Sequence, residues 1–265
     1  MSECNSGCEE CKSKESCGIR KAPLNKESSI HKIIGIISGK GGVGKSTVTA
    51  LIARRLASMG YSVGIMDADV TGPSVPAMFG IHGKGLSDEN GIYPMVSQEG
   101  IKIISMNLLL DSEETPVIYR GPVVASIIKQ FYSDVIWGNL DYLLIDMPPG
   151  TGDVPLTVYQ SIPIDGVVMV TSPQNLVKMI VMKAVNMASK MSVPLLGIIE
   201  NYSYFKCEDC DRIYEIFGKS TAEKLAKELN TTVIARIPII PEVAQCEDKG
   251  IPVTQDIDMD FSNLL

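Results

Sequence analysis

Residues 32–47 read K-I-I-G-I-I-S-G-K-G-G-V-G-K-S-T. The first seven form an apolar, β-branched run suited to a buried strand, glycines follow at once, and a helical stretch begins near Gly44. Gly39 to Ser46 fit G-x-x-x-x-G-K-S in the strand-loop-helix setting that gives the pattern its meaning. Gly39, Gly41, Gly42 and Gly44 let the backbone curl around Val43 until several N–H groups point inward, where the positive end of the helix dipole also lies. That cradle suits the phosphates of a nucleotide. Lys45 is expected to neutralise β- and γ-phosphate oxygens, the Ser46 hydroxyl to ligate Mg²⁺ and Thr47 to reach the α-phosphate. Lys40 is an additional cation that this pattern does not require.

Outward from the loop, short apolar runs alternate with helical stretches, as in successive βα units of a mostly parallel sheet. Strands are expected at 32–38, 62–67, 101–106, 142–147, 166–171, 195–201 and 232–238. Helices are expected at 44–58, 122–133, 173–190 and 220–229, the last capped by Ser220 with Glu223 three positions on. Several strands are apolar throughout, which requires helices on both faces. The fold class is therefore α/β, a P-loop NTPase architecture spanning 31–265, preceded by a cysteine-rich tail and linker at 1–30.

The net charge of -7 argues against a protein that coats nucleic acid, since such proteins carry a basic face. No run approaches the roughly 20 apolar residues needed to span a bilayer, and no signal peptide opens the chain. A cytoplasmic protein without membrane or nucleic-acid partners is expected.

Two strand ends carry acids. Asp146 closes YLLID, where a carboxylate beside the loop can hold Mg²⁺ through water, and MPPGTGD follows as a turn able to sense the γ-phosphate. Asp67 and Asp69 end the neighbouring strand, at the carboxyl edge where ligands bind in open α/β sheets. Asp69 is the candidate for orienting an attacking water. A turn or cap role is the alternative for each acid.

The early lysine in K-G-G-V-G-K-S-T resembles the deviant Walker A motif of the MinD/ParA and nitrogenase iron protein class. Within that class, GKGGVGKST, MDADVTGPSVPAMFG, RGPVV, LLIDMPPGTGD, VTSPQ and IENYSYFKCEDC resemble the Mrp/ApbC family of ATP-dependent iron-sulfur cluster carriers. The resemblance implies a homodimer in which Lys40 reaches the partner's nucleotide. It implies that Asn201 contacts adenine and that residues 237–241 pass near the base. It also implies ATP, Mg²⁺ and an iron-sulfur cluster, 4Fe-4S by expectation, as cofactors.

Cys207 and Cys210 form a C-x-x-C in a polar insert near 202–217. Two thiolates are half a site for Zn²⁺ or a 4Fe-4S cluster, and a twofold axis would complete it with the same pair from a second subunit. Structural zinc, a redox dithiol and uninvolved cysteines are the alternatives. The family's C-P-x-C-G is C-E-D-C-D here, so the turn lacks its proline and glycine. In the tail, Cys4, Cys8, Cys11 and Cys17 could wrap a second cluster, bind zinc or bind metal transiently. Cys246 is expected to be a buried or incidental thiol.

These features point to an ATPase that carries clusters and transfers them to apoproteins, receiving them from upstream assembly proteins. The alternatives are a MinD/ParA-like positioning ATPase, which wants a basic tail where this chain has VTQDIDMDFSNLL, and an ATP-gated electron-transfer protein.

Overall fold

The computed structural model describes residues 21–69, 74–109, 121–174, 178–207, 209–253 and 257–265. The first half of the chain runs β1 (Ser29–Ser38), α1 (Lys45–Ser58), β2 (Val63–Asp67), α2 (Val75–Met78), β3 (Ser87–Asp88), β4 (Gly91–Ile92), β5 (Met95–Val96), β6 (Lys102–Ser105) and α3 (Gly121–Ser133). The second half runs β7 (Asn139–Asp146), α4 (Asp153–Ser161), β8 (Gly166–Thr171), α5 (Lys178–Lys190), β9 (Leu195–Glu200), β10 (Phe205–Lys206), β11 (Ile213–Tyr214), α6 (Ala222–Glu228), β12 (Val233–Arg236) and α7 (Pro241–Lys249).

An eight-stranded sheet in the order β12-β9-β8-β1-β7-β2-β6-β5 forms the frame. Every pairing in it is parallel except β5 with β6. The chain builds one side first, returns to the centre at β7, and then crosses to the other side through β8, β9 and β12. Such a reversal beside β1 opens a crevice at the carboxyl ends of the strands.

Both sheet faces are buried, and the period of two divides each strand between them. Ile33, Ile37, Leu143 and Ile145 meet Val124 and Ile128 of α3, Val158 of α4 and Val181 of α5. Ile34, Ile36, Leu144 and Val168 meet Leu51 and Ile52 of α1, Val75 of α2 and Val243 of α7. Gly64 shows why a strand interior can require glycine. A Cβ there would lie 2.7 Å from Leu140 and 3.0 Å from the fully buried Trp137 ring.

All seven expected strands are present, and β5 joins them as an antiparallel edge. At two residues, β5 is too short to show any period. The cap expected at Ser220 is one residue early: Thr221 takes the N-cap position of α6 without a side-chain cap bond, and the Ser220 hydroxyl accepts from the Ala222 N–H at 3.3 Å. Residues 21–28 lie against the body, with the Ala22 N–H donating to Ser161 O at 2.7 Å and Lys21 Nζ to Ile162 O at 3.0 Å. Among the described residues, no helix is long and apolar enough to cross a membrane.

Candidate functional site

Asp146 sits fully buried at the end of β7 and accepts from three side chains of the opening α1 turns. Lys45 Nζ donates to its Oδ1 at 2.7 Å, Ser46 Oγ to its Oδ2 at 2.6 Å and Thr49 Oγ1 to its Oδ1 at 2.9 Å. Lys45 is 6% exposed and Asp146 is 0% exposed, so removing either partner would leave an uncompensated buried charge, a cost of about 3–5 kcal/mol. An ammonium has three donors, and the bond to Asp146 uses one.

The loop above this pair is held from two sides. Gly44 caps α1 in the left-handed region at φ 75°, and a Cβ there would lie 2.2 Å from Asn201 Nδ2. Asn201 is buried and donates from Nδ2 to Val43 O at 3.0 Å, so the end of β9 supports the loop backbone. On the other flank, the Gly150 N–H donates to Ser38 O at 2.9 Å, tying the turn after Asp146 to the end of β1. The loop and Asp69, Ser74, Met78, Pro149 and Tyr202 line a cavity of about 280 Å³. A second cavity of about 90 Å³ is lined by Thr47, Asn201, Tyr202, Ile237, Pro238 and Glu247, among others.

The expected nucleotide residues thus converge. Gly41 through Thr47, Lys40 and Asp69 line one cavity, while Asn201, Ile237, Pro238 and Ile240 line its neighbour. Gly39 sits at the end of β1 with no space for a side chain, since a Cβ would lie 2.9 Å from the Val181 backbone nitrogen. Lys40 Nζ donates to Gln174 Oε1 of its own chain. Asp146 lies one hydrogen bond behind Ser46, the position from which an acid can hold Mg²⁺ through water. This donor set suits Mg²⁺: a hydroxyl with neighbouring carboxylates, all hard oxygens, leaves coordination places for phosphate and water.

Asp67 faces Asp146 across the β2–β7 ladder, and Ser105 Oγ donates to its Oδ2 at 3.2 Å. Burial, then the Asp146 charge, push the Asp67 carboxyl up to about 8, against the opposing pull of Lys45. The Asp69 N–H donates to Asp67 Oδ1 at 3.1 Å, which places Asp69 at the cavity mouth.

Cys207 and Cys210 project from the body on the short β10–β11 hairpin. Phe205 pairs with Tyr214 and Lys206 with Ile213, the Cys207 N–H donates to Arg212 O at 2.9 Å, and the Asp211 N–H returns to Cys207 O at 3.0 Å. Asp211 adopts φ 55°, so an aspartate takes the left-handed position that glycine would take more easily. Cys207 is half-buried and Cys210 exposed. Among the described residues, no group of three or more metal-ligating side chains forms. Cys246 is a half-buried thiol within α7. Cys4, Cys8, Cys11 and Cys17 lie outside the described residues.

Sequence reasoning missed Thr49, Tyr202, Gln174 and Glu247. Thr49 lies two residues beyond GKGGVGKST, and Tyr202 lies inside the quoted IENYSYFKCEDC. Gln174 ends the quoted VTSPQ, but its contact with Lys40 arises only when β1 and β8 pair. Glu247 Oε2 accepts from Thr47 Oγ1 at 2.8 Å across 200 residues, a contact created by the packing of α7.

A family model described as "ParA: NUBPL iron-transfer P-loop NTPase" matches residues 29–263. The chain belongs to that family. An iron-sulfur cluster carrier protein of Methanocaldococcus jannaschii is 47% identical over 96% of this chain and 91% of its own length. Its namesake in Methanococcus maripaludis is 44% identical over 96% and 92% respectively. Among solved structures, the nucleotide-binding protein from Archaeoglobus fulgidus in complex with ADP is similar at 43% identity and a TM-score of 0.75, over 83% of this chain and 87% of that one. The cell division ATPase MinD of Pyrococcus furiosus, at 22% identity and a TM-score of 0.59, shares the fold.

Asp67 generates a pH prediction. Its folded-state pKa lies above the ordinary carboxylate value, so between about pH 4 and 8 the folded chain keeps a proton that the unfolded chain has released. Stability therefore falls as pH rises through that window. In buffer free of magnesium and nucleotide, calorimetry should show Asp67→Asn gaining melting temperature over wild type as pH increases from 5 to 8. A constant difference across that range would contradict the assignment.

Proposed function

We propose that the chain is an ATP-dependent iron-sulfur cluster carrier acting as a homodimer. The observation that carries this reading is that a glycine-rich loop backed by Lys45, Ser46 and Asp146 shares one chain with a C-x-x-C hairpin whose Cys210 is exposed and whose Cys207 is half-buried. The family membership and the carrier names of the relatives support it.

In this reading the loop N–H groups and Lys45 bind the triphosphate. Ser46 holds Mg²⁺ directly, Asp146 holds it through water, and Asp69 orients water at the cavity mouth. Magnesium supplies charge neutralisation on the phosphates. Thr47 lies on the α-phosphate side, and Asn201 with residues 237–240 offers the base a partly apolar slot.

The dimer has two supports. Lys40 is placed at the cavity rim, from which its ammonium can exchange Gln174 for a partner's phosphate. Ile213, Tyr214, Ile216 and Phe217 are exposed on the thiol-bearing insert, and an apolar group of this kind marks a protein interface. Two copies meeting there bring four thiolates together, enough for one 4Fe-4S cargo. The nucleotide state sets the geometry of the pair, so cargo is held in one state and released to an apoprotein in the other.

The two lysines should separate in kinetics. Lys40→Ala is expected to reduce ATP turnover by about tenfold or more with little change in nucleotide affinity, because its charge acts on the transferring phosphate. Lys45→Ala should damage both. Titration of ATP binding alongside turnover checks this, and equal losses of affinity in the two variants would contradict it.

For the thiols, the protein purified without oxygen and reconstituted with iron and sulfide should show a broad visible absorption. Cys207→Ala should lose the share of it that belongs to the hairpin site. Full retention of the absorption and of bound iron would overturn the assignment.

A further inference from the structure

The insert that carries the thiols is fastened to the nucleotide-binding body through one buried carboxylate. Glu200 is the last residue of β9 and is 0% exposed. Its Oε2 accepts from Ser203 Oγ at 2.6 Å, and its Oε1 accepts from the Thr221 N–H at 3.3 Å. Ser203 lies just before the β10–β11 hairpin and Thr221 at the start of α6, where the chain returns from it, so the segments entering and leaving the hairpin both bond the same side chain. Arg236, from the end of β12, brings Nε to 3.6 Å from Oε2 and also donates to Ser203 Oγ at 3.1 Å. The buried Ser203 hydroxyl is therefore a relay, accepting from the guanidinium and donating to the carboxylate. Backbone bonds frame the group, with the Ile237 N–H donating to Glu200 O at 2.9 Å and the Ser203 N–H to Ile237 O at 2.8 Å.

A carboxylate removed from water is tolerated only when its oxygens are bonded and its charge is paired. An apolar side chain would fill the same space without that demand. What the carboxylate adds is direction, because its two donors, Ser203 and Thr221, and its ion-pair partner Arg236 must stay in one arrangement. The residue that follows it, Asn201, bonds Val43 O in the phosphate loop and lies against Gly44 with no space between them. A second contact runs alongside: the Tyr202 ring, in the wall of the phosphate cavity, lies 6.3 Å from the Phe217 ring in the insert. A displacement of the loop therefore moves Asn201 and, with it, the point on which both legs of the hairpin rest, since packed interiors transmit strain.

We propose that Glu200, Ser203 and Arg236 form a positioning clamp that sets the angle of the Cys207/Cys210 hairpin and passes the nucleotide state of the phosphate loop to the thiols. This rests on the carrier reading above and deepens it by naming the residues through which nucleotide governs the cargo site. None of the three needs to touch nucleotide or cluster.

The test uses the full-length, reduced, cluster-free protein. The rate of Cys210 alkylation by iodoacetamide is measured peptide by peptide by mass spectrometry, with and without a Mg²⁺-bound non-hydrolysable ATP analogue. Wild type is expected to change rate by about fivefold or more on binding the analogue, the scale of an ordinary coupling between two sites. Arg236→Ala should reduce that response to less than about twofold while analogue affinity stays within about threefold of wild type. Arg236→Lys, which keeps the charge, should recover part of the response. Ser203→Ala removes only the relay hydroxyl and gives the same answer should Arg236→Ala fail to fold.

A wild-type rate insensitive to the analogue overturns the proposal, as does a full response in both Arg236→Ala and Ser203→Ala. A loss of analogue affinity as large as the loss of response also overturns it, because the residues would then merely support the nucleotide pocket. Failure of the carrier reading looks different: wild type would not bind the analogue, or would take up no iron and sulfide on reconstitution.

Discussion

The ion pair between Lys45 and Asp146 is the constraint on which the rest of the site depends. Asp146 ends a central strand and Lys45 begins the helix packed over it, so one buried charge pair fixes where the phosphate loop ends and where the sheet's carboxyl edge lies. Ser46 and Thr49 bond the same carboxylate, locking the first turns of α1 to β7. Asp67 faces this group across the ladder and is driven toward its neutral form by burial and by the second acid. Two acids thus share one cation at this edge: Lys45 answers the charge of Asp146, and Asp67 keeps its proton.

Around that edge the chain sets two kinds of chemistry at two exposures. Hard oxygen donors and the glycine-rich loop line a cavity in the crevice created by the strand order, whereas soft thiols stand on a two-stranded hairpin outside the sheet. The separation suits the proposed function: a nucleotide switch works best enclosed, and a cargo must be reached by its recipient. β9 joins the two. Its final residue holds the insert and the residue after it holds the loop.

Much of this was legible in the sequence because it is local. The phosphate loop is a contiguous pattern in a strand-loop-helix context, and the seven longer strands stand out because both sheet faces are buried. Elements only about one period long, such as α2 and β5, gave no such signal. The helix at 241–249 was signposted by Pro241 at its start and Gly250 just past its end, at φ 63°, and Cys246 lies within it. The contacts that complete the site were not legible because they join distant residues: Lys40 with Gln174, Thr47 with Glu247, and Glu200 with Thr221 and Arg236. The departure from the family's glycine at Asp211 could be judged only from the backbone, which keeps the left-handed turn.

The central claim is that two copies of the chain assemble so that paired thiols share one cluster while each copy's nucleotide is gripped by both. Light scattering on anaerobic, reconstituted full-length protein with Mg²⁺ and a non-hydrolysable ATP analogue tests it most directly. The account predicts a particle of twice the 28.7 kDa chain mass that falls to a monomer when Cys207 and Cys210 are both replaced by alanine and nucleotide is withdrawn. A fully loaded protein that remains a monomer at every concentration would contradict it.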